Sequence, residues 1–279
     1  MKKQFAENLI DYIYNSPTAF NAVETSKNLL MKHGFDELKM NEKWTLKVGG
    51  KYFVTKNSSS LTAFVVNSDN IQDGFRIIGS HSDSPTFRIK PNAEMSVENT
   101  YLKLNTEAYG GAILSTWFDR PLSIAGRVVL KSENILCPRE EIININKPIC
   151  IIPNLAIHMN RSINDGYKFN KQKDTLPLVG LINETLEKDE FLLNEICKIL
   201  NVNKEDILDF DLYLYEYEKG SIIGPNEEFI SSSRLDNLSM AHASLHGLID
   251  AKGQRGINIA AIFDNEEVGS STQQGADSN

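Results

Sequence analysis

The sequence predicts an α/β fold into which a separate, β-rich domain is inserted. Hydrophobic residues recur at helical spacing near the start of the chain, and short β-rich segments follow them. Between about residues 89 and 231, strand-like stretches mix with loops rich in Asn and Lys, and the α/β pattern returns from Leu235. We therefore expect one discontinuous α/β domain, formed by residues 1–90 and 232–279, and an inserted domain formed by residues 91–231.

Two helices are predicted at the start of the chain. Apolar residues recur at helical spacing over residues 5–13, and the Ser-Pro pair at 16–17 ends that run. Thr18 is suited to cap a second helix, which continues through Leu30, because Thr hydroxyls accept hydrogen bonds from the first turn of a helix. Gly34 follows as the predicted C-terminal cap.

The later elements are predicted from composition and periodicity. Short strands bounded by Gly, Asn, Ser or Asp are expected at residues 51–55, 61–67 and 75–79. In the β-rich region we expect strands such as residues 124–130, 149–152 and 212–217, and one helix around residues 190–200. Residues 236–251 are predicted to form a helix with one apolar face, and the apolar stretch Ile257–Phe263 is predicted to be a strand buried on both faces.

Composition excludes several classes of protein. The chain has 279 residues, of which 41% are hydrophobic and 24% charged, so disorder and fibrous architecture are not expected. The net charge of −8, without a long cluster of Lys and Arg, argues against nucleic acid or a membrane surface as a partner. Membrane spans need roughly 18 consecutive apolar residues, and no such run exists. Glu7 and Asp11 interrupt the stretch that a signal peptide would need.

The three cysteines indicate a reducing environment. Cys137, Cys150 and Cys197 are an odd number without CxxC spacing, which is typical of free thiols and not of a disulfide framework or a cysteine zinc site. A cytoplasmic protein is therefore expected.

Three polar clusters are candidates for a functional site. Two directly follow predicted strands: residues 81–85 (HSDSP) and residues 264–267 (DNEE). The third, residues 233–237 (SRLDN), is a polar loop that enters a predicted helix. Ligands of open α/β sheets bind beyond the carboxyl ends of the strands, so the first two clusters lie where a site is expected.

Each cluster has both a chemical and a structural interpretation. Asp83 could orient His81 as a metal ligand, since a carboxylate that accepts from one imidazole nitrogen makes the other more basic; a solvated turn is the alternative. Glu266 and Glu267 point in different directions from an extended backbone, so one could bind a metal while the other takes a proton from water. A pair of surface acids is the alternative. Asp236 could cap a helix or bridge two cations.

The histidines outside these clusters give weaker signals. His158 follows another apolar stretch, and composition alone favours a structural or surface role. His242 and His246 have the i, i+4 spacing of helical zinc ligands, but no HExxH glutamate lies between them, so we expect them to be structural. Because no GxSxG elbow is present, the clusters favour metal-assisted hydrolysis with zinc, manganese or cobalt, with the substrate left open.

At these clusters the sequence resembles the aspartyl aminopeptidase and aminopeptidase I family of dinuclear zinc exopeptidases. The resemblance covers essentially the whole chain in order, and its motifs are residues 78–85 (IGSHSDSP), 109–111 (YGG), 115–120 (STWFDR), 153–158 (PNLAIH), 233–237 (SRLDN) and 264–270 (DNEEVGS). It implies a zinc-exopeptidase-type α/β/α catalytic domain with an inserted β-rich dimerisation domain. It also implies dimers that assemble into a tetrahedral dodecamer and admit peptide substrates.

The resemblance also implies a role for each site residue. His81 resembles a ligand of one zinc, oriented by Asp83, and Asp236 resembles the carboxylate that bridges two zinc ions per subunit. Glu267 resembles a ligand of the other zinc, and Glu266 the general base that activates the bridging water. His158 is similar to a histidine that stabilises the oxyanion from a neighbouring subunit.

The chain departs from the family pattern at its end. Family members continue past the position of Asn279 and supply one further Asp ligand and one further His ligand, so we expect the catalytic domain to be incomplete and this chain alone to be inactive. An incomplete sheet should also expose an apolar edge. Three functions stay open: an aminopeptidase that prefers N-terminal Asp or Glu or else neutral residues, an inactive assembly module, and a metal hydrolase acting on acyl-amino acids or glycans.

Overall fold

The computed structural model describes residues 2–183, 190–253 and 255–278, and the predicted α/β class is confirmed. The described helices are α1 (Lys2–Tyr14), α2 (Ala19–Lys32), α3 (Phe191–Leu200) and α4 (Leu235–Asp250). The described strands are β1 (Asp36–Glu37), β2 (Lys51–Lys56), β3 (Ser60–Val66), β4 (Phe75–His81), β5 (Thr86–Val97), β6 (Tyr101–Tyr109), β7 (Leu122–Leu130), β8 (Arg139–Asn144), β9 (Leu178–Leu181), β10 (Ile207–Glu216), β11 (Ser221–Ile223), β12 (Phe229–Ser231) and β13 (Ile257–Phe263).

The chain divides into two compact units. The first is discontinuous and comprises Met1–Ser84 and Lys219–Asn279, and the second comprises Pro85–Glu218. These divisions fall six and thirteen residues before the boundaries expected from the sequence, after residues 90 and 231. The dimerisation role expected for the middle region stays a prediction.

The helical start of the first unit has the caps that the sequence predicts. The Thr18 side chain accepts a hydrogen bond from the main-chain N–H of Asn21 in the first turn of α2. Gly34 follows the end of α2 at φ +78°, in the left-handed region that glycine adopts without steric cost. The turn between α1 and α2 is tied by a bond from the Thr25 hydroxyl to the main-chain oxygen of Asn15.

A five-stranded mixed sheet forms the framework of the first unit, in the order β1-β2-β3-β13-β4. One face of the sheet packs against α1, α2 and α4, because alternate residues of each strand point towards that side. The core includes Phe53 of β2, Leu61 and Ala63 of β3, and Ala260 and Ile262 of β13. Burial of this apolar face is the main stabilising term of the unit, at about 25 cal/mol per Å² removed from water.

The opposite face of this sheet is less covered. A smaller cluster of Tyr52, Phe64 and Val66 lies on it, and Trp44 packs its ring against Phe64. Within the described residues β4 is one of the two edge strands, and three of its apolar side chains, Phe75, Ile77 and Ile78, are more than half exposed. β13 is buried on both faces only in its second half, from Ala260 to Ile262, because the first half borders this open surface.

The second unit is built around a six-stranded antiparallel sheet in the order β8-β7-β10-β5-β6-β9. Its core includes Phe87, Leu104, Ile124 and Leu212, and α3 contributes Leu192 and Ile196. The predicted strand at residues 149–152 is wrong, since only isolated bridges form there, such as Leu122 with Cys150. No helix in the described ranges combines the length and the apolar character that crossing a bilayer requires.

His242 is buried within the helical layer of the first unit. The residue is 2% exposed, and its ring packs edge-on against Phe5, with 4.9 Å between the centroids, and lies tilted against Tyr12 at 5.3 Å. The His246 ring centroid lies 4.4 Å from that of His242, one turn along α4. Burial, reinforced by the neighbouring charge of His246, lowers the pKa of His242 to about 4. The structural role predicted for this pair agrees with its aromatic packing.

The burial of His242 predicts that acid lowers the stability of the folded protein. The unfolded chain binds a proton at His242 near pH 6.5, whereas the folded protein resists protonation until about pH 4. The contribution of His242 to stability is therefore complete above pH 6.5 and is lost as the pH falls towards 4, by at most about 3 kcal/mol. Between pH 7.5 and pH 4.5, the free energy of unfolding measured with urea should fall less for His242→Phe than for the unaltered chain. The exposed His158→Gln is the control, and an equal loss in all three proteins would refute the assignment.

Candidate metal centre

The three polar clusters converge at one edge of the five-stranded sheet. β4 and β13 are parallel neighbours, and in their register Phe263 lies opposite His81. Parallel strands end at the same side of a sheet, so the residues that follow β4 and those that follow β13 emerge together. The first turn of α4, which carries Asp236, lies beside the same strand ends, because the main-chain N–H of His81 donates to the Asn237 side chain over 3.2 Å.

His81 is oriented by Asp83. The Nδ1 atom of His81 lies 3.2 Å from Oδ1 of Asp83 and 3.1 Å from the main-chain oxygen of the same residue. Both neighbours are acceptors, so Nδ1 carries the proton and the lone pair of a neutral ring lies on Nε2. Burial by itself lowers the pKa of His81, but the hydrogen bond and charge of Asp83, with the charge of Glu266, raise it above its usual value.

The free nitrogen of His81 faces carboxylates. Nε2 lies 3.5 Å from Oδ1 of Asp236 and 3.8 Å from Oε2 of Glu266. Imidazole nitrogen and carboxylate oxygen are ligands that zinc takes in proteins. The direction of the ring and the type of its neighbours therefore suit a cation at this point.

Asp83 also holds the loop that carries the two glutamates. Its side chain is buried, and its oxygens Oδ1 and Oδ2 accept from the main-chain N–H groups of Glu266, at 3.3 Å, and Glu267, at 3.2 Å. Glu266 and Glu267 begin the single turn Glu266–Val268 after β13. One buried carboxylate thus connects the imidazole of β4 to the turn that follows β13.

Asp236 is not the simple helix cap that the sequence left open. The N-cap position of α4 belongs to Arg234, and Asp236 and Asn237 have non-helical backbone angles at the start of the helix. The hydroxyl of Ser84 donates to the main-chain oxygen of Asp236 over 3.1 Å, while the Asp236 side chain is 83% exposed. The carboxylate is therefore held by its backbone and open to a ligand.

The donors fit part of a metal site. Among residues 2–183, 190–253 and 255–278, no group of three or more His, Cys, Asp or Glu side chains is placed so that it could hold a metal ion. The structure brings together the side chains of His81, Asp83, Asp236 and Glu266 and the main chain of Glu267. One imidazole with hard oxygen donors fits zinc, but zinc sites usually take about four ligands, so these contacts form an incomplete set.

His158 belongs to the second unit. It is exposed and lies in a turn between the exposed apolar residues Ile157 and Met159. Asp119 fixes the start of this loop, accepting from the main-chain N–H and the side-chain amide of Asn154, each over 2.9 Å. Both residues lie in the motifs at residues 115–120 and 153–158, but their spacing does not predict this contact.

Known proteins are similar to this chain over nearly its whole length. The model of the family described as aminopeptidase I zinc metalloprotease (M18) matches residues 12–279. A probable M18 family aminopeptidase 2 of Clostridium novyi is 61% identical over 279 residues, which is all of this chain and 64% of the relative.

Solved structures of related proteins have the same fold as this chain. Yeast aminopeptidase 1 superposes with a TM-score of 0.83 at 28% identity, covering 99% of this chain and 64% of that one. The S. cerevisiae mApe1 dodecamer gives 0.81 at 28% identity, covering 97% and 63%. The chain spans 64% of the length of the curated relatives it matches.

Asp83→Asn should weaken the site in two ways. An amide has one acceptor oxygen, whereas Asp83 uses two for the N–H groups of Glu266 and Glu267. We expect a loss of about 1–3 kcal/mol in the free energy of unfolding and a loss of about 10–100-fold in zinc affinity. Urea unfolding and competition titration with a chromogenic chelator measure the two effects. Asp69→Asn, at an exposed position, is the control; wild-type values for Asp83→Asn in both assays would contradict this role.

Proposed function

Because the chain belongs to the aminopeptidase I zinc metalloprotease family (M18), we propose that it provides the metal-binding part of an aminopeptidase that removes N-terminal residues from peptides. The observation that carries the proposal is the orientation of His81. Asp83 directs its Nε2 towards Asp236 and Glu266 at the carboxyl ends of two parallel strands. That arrangement supports metal-assisted hydrolysis better than a role in packing.

We assign the metal ligands on the family resemblance and on this geometry. His81 and Glu267 would each hold one of two divalent cations per subunit, and Asp236, whose carboxylate has two oxygens and is exposed, would contact both. Zinc is the cation that the donor set and the family favour, with manganese or cobalt as alternatives. When bound, the metal polarises the scissile carbonyl and makes water more acidic.

Glu266 moves the proton in this proposal. Its carboxylate is 56% exposed and lies near Nε2 of His81, so it can reach a water at the same point. It takes a proton from the attacking water and delivers it to the departing amine, which leaves as a neutral amine. Asp83 keeps the main chain of Glu266 in place by its hydrogen bond, so the carboxylate works from a fixed turn.

The preferred substrate carries an N-terminal Asp or Glu. This preference rests on the likeness of residues 15–20 and 42–57 to the aspartyl branch of the family, and a neutral or hydrophobic N-terminal residue is the alternative. The net charge of −8 does not decide between the two, because only local positive charge selects an acidic side chain.

We also propose a homo-oligomer in which dimers assemble into a tetrahedral dodecamer. Support comes from the related mApe1 structure described as a dodecamer and from the exposed apolar loop around His158, with Leu155 61% and Met159 65% exposed. Apolar residues grouped on one exposed loop are typical of interaction sites. In the oligomer His158 stabilises the oxyanion in the site of a neighbouring subunit. The cytoplasm is the location expected from the cysteines.

Two other functions make different predictions. An assembly module without catalysis would bind no zinc, so two zinc ions per chain would exclude it. A hydrolase acting on acyl-amino acids or glycans would need no free amino group on its substrate, whereas an aminopeptidase does. Blocking the amino group of the substrate therefore separates the second alternative from the proposal.

The activity is tested with this chain alone and with this chain joined to the remaining part of the Clostridium novyi relative. We expect the joined protein to cleave Asp-linked chromogenic amides faster than Leu-linked ones, and the chain alone to be inactive. Glu266→Gln should reduce turnover by at least about 100-fold, because the amide cannot accept the proton, while zinc content stays unchanged. Glu42→Gln, on the surface, is the control. Faster cleavage of the Leu substrate would overturn the acidic preference, and normal turnover of Glu266→Gln would overturn its role as base.

The action of His158 in trans is tested by complementation. His158→Gln and Glu266→Gln are each expected to be inactive in the joined protein. Co-expression in equal amounts forms mixed dimers with one site that has both residues, so about a quarter of the unaltered activity should return if the interface is isologous. Absence of recovery in dimers shown to be mixed would place His158 outside the neighbouring site.

A further inference from the structure

We propose that Asn265 is a positioning residue that holds the Glu266-Glu267 turn in its metal-binding form before a metal is present. The inference rests on the proposed function, which gives this turn its role in binding a metal. It is carried by hydrogen bonds that close the loop after β13 onto itself, independently of Asp83.

Asn265 has the backbone conformation that the turn needs. It lies between the end of β13 and the turn Glu266–Val268, at φ 59° and ψ 26°, in the left-handed region. That conformation costs most side chains roughly 1–2 kcal/mol, whereas Gly and Asn adopt it more readily. The chain thereby leaves the strand abruptly and brings the two glutamates to the sheet edge instead of extending past it.

The Asn265 side chain binds the returning part of the loop. Its Oδ1 accepts from the Thr272 hydroxyl over 2.7 Å and from the Gln274 side-chain amide over 3.0 Å. Its main-chain oxygen accepts from the N–H groups of Ser270, at 2.8 Å, and Val268, at 3.3 Å. One residue thus connects the start of the glutamate turn to positions three, five, seven and nine residues further along.

The returning part of the loop is itself fixed. The main-chain N–H of Asp264 donates to the main-chain oxygen of Gln274 over 3.0 Å, and that of Asp277 donates to Ser270 over 3.2 Å. Gly275 passes so close that a Cβ there would lie 2.1 Å from the Ser270 oxygen, so a larger residue would displace the backbone. Thr272 and Gln274 are therefore presented to Asn265 by a compact loop.

Two sets of contacts then restrain the glutamates from opposite ends. Asp83 accepts from the N–H groups of Glu266 and Glu267, while Asn265 accepts from Val268 and from the returning loop. A site whose ligands are already ordered loses less conformational entropy when the cation binds. The side chain of Asn265 should therefore affect zinc affinity although it is not a ligand.

The simpler alternative is that Asn265 serves only its backbone conformation. Three substitutions separate the two. Asn265→Gly keeps the left-handed preference and removes the side-chain acceptor, Asn265→Ala removes both, and Asn265→Asp keeps an acceptor oxygen. Thr272→Val removes one donor and leaves Asn265 intact. Ser271→Ala, whose hydroxyl donates only to the Gly269 oxygen in the same loop, is the matched control.

Two measurements on the chain as it exists decide between these interpretations. Amide hydrogen exchange at Glu266, Glu267 and Val268 without metal reports the order of the turn. Zinc affinity, from competition with a chromogenic chelator, reports its consequence. We expect Asn265→Gly and Asn265→Ala to exchange at least about 10-fold faster and to bind zinc about 10-fold more weakly. Asn265→Asp should stay within about 3-fold of the unaltered chain in both, and Ser271→Ala should match that chain.

The outcomes distinguish this inference from the proposed function. Wild-type exchange in Asn265→Gly would overturn the positioning role, since the backbone preference alone would then suffice. If the unaltered chain binds no zinc, the metal-site proposal fails, while the exchange arm still decides the role of Asn265. If the Asn265 variants fail to fold, Thr272→Val gives the decision: faster exchange supports the role and unchanged exchange refutes it.

Discussion

The candidate site depends on the parallel pairing of β4 and β13. In this register Phe263 lies opposite His81, so the residues that leave the two strands emerge at the same edge, although 183 positions separate Asp83 from Glu266. In the same register Ala260 and Ile262 of β13 point into the helical layer. A slip of one residue would turn Ala260 and Ile262 away from the helical layer and separate His81 from the glutamate turn. The register that packs the core therefore also assembles the candidate site.

Asp83 connects the paired strands to the donors of the candidate metal site. A buried carboxylate is costly unless donors surround it, and Asp83 has the His81 ring and the N–H groups of Glu266 and Glu267 as donors. Each donor also belongs to the candidate metal site. The burial that would otherwise penalise the charge instead strengthens these bonds. The carboxylate therefore sets the proton position on His81 and the path of the main chain after β13 at once.

The sequence predicts elements that local signals define and fails where partners are distant. The Thr18 cap and strand β13 follow from residue types and periodicity, and both are present. Residues 149–152 have strand-like composition but find only isolated bridges, because strand formation depends on a partner that composition does not reveal. In the site, the spacing of His81 and Asp83 suggests their contact but leaves a solvated turn as the alternative. Their meeting with Asp236 could be suggested only by resemblance, because it depends on the tertiary fold.

The contacts of Asn265 show why supporting residues escape sequence analysis. Its partners, Thr272 and Gln274, belong to a short polar segment that resembles any loop, and nothing in their spacing identifies them as donors. The one local signal is the residue type: Asn tolerates left-handed backbone angles, and it stands directly before two adjacent acids. Adjacent carboxylates repel each other, so a turn that carries two of them at one sheet edge must be held by other bonds. Asp83 and Asn265 supply those bonds by accepting from main-chain N–H groups of the turn and from side chains of the returning loop, and none of these bonds uses a glutamate carboxylate.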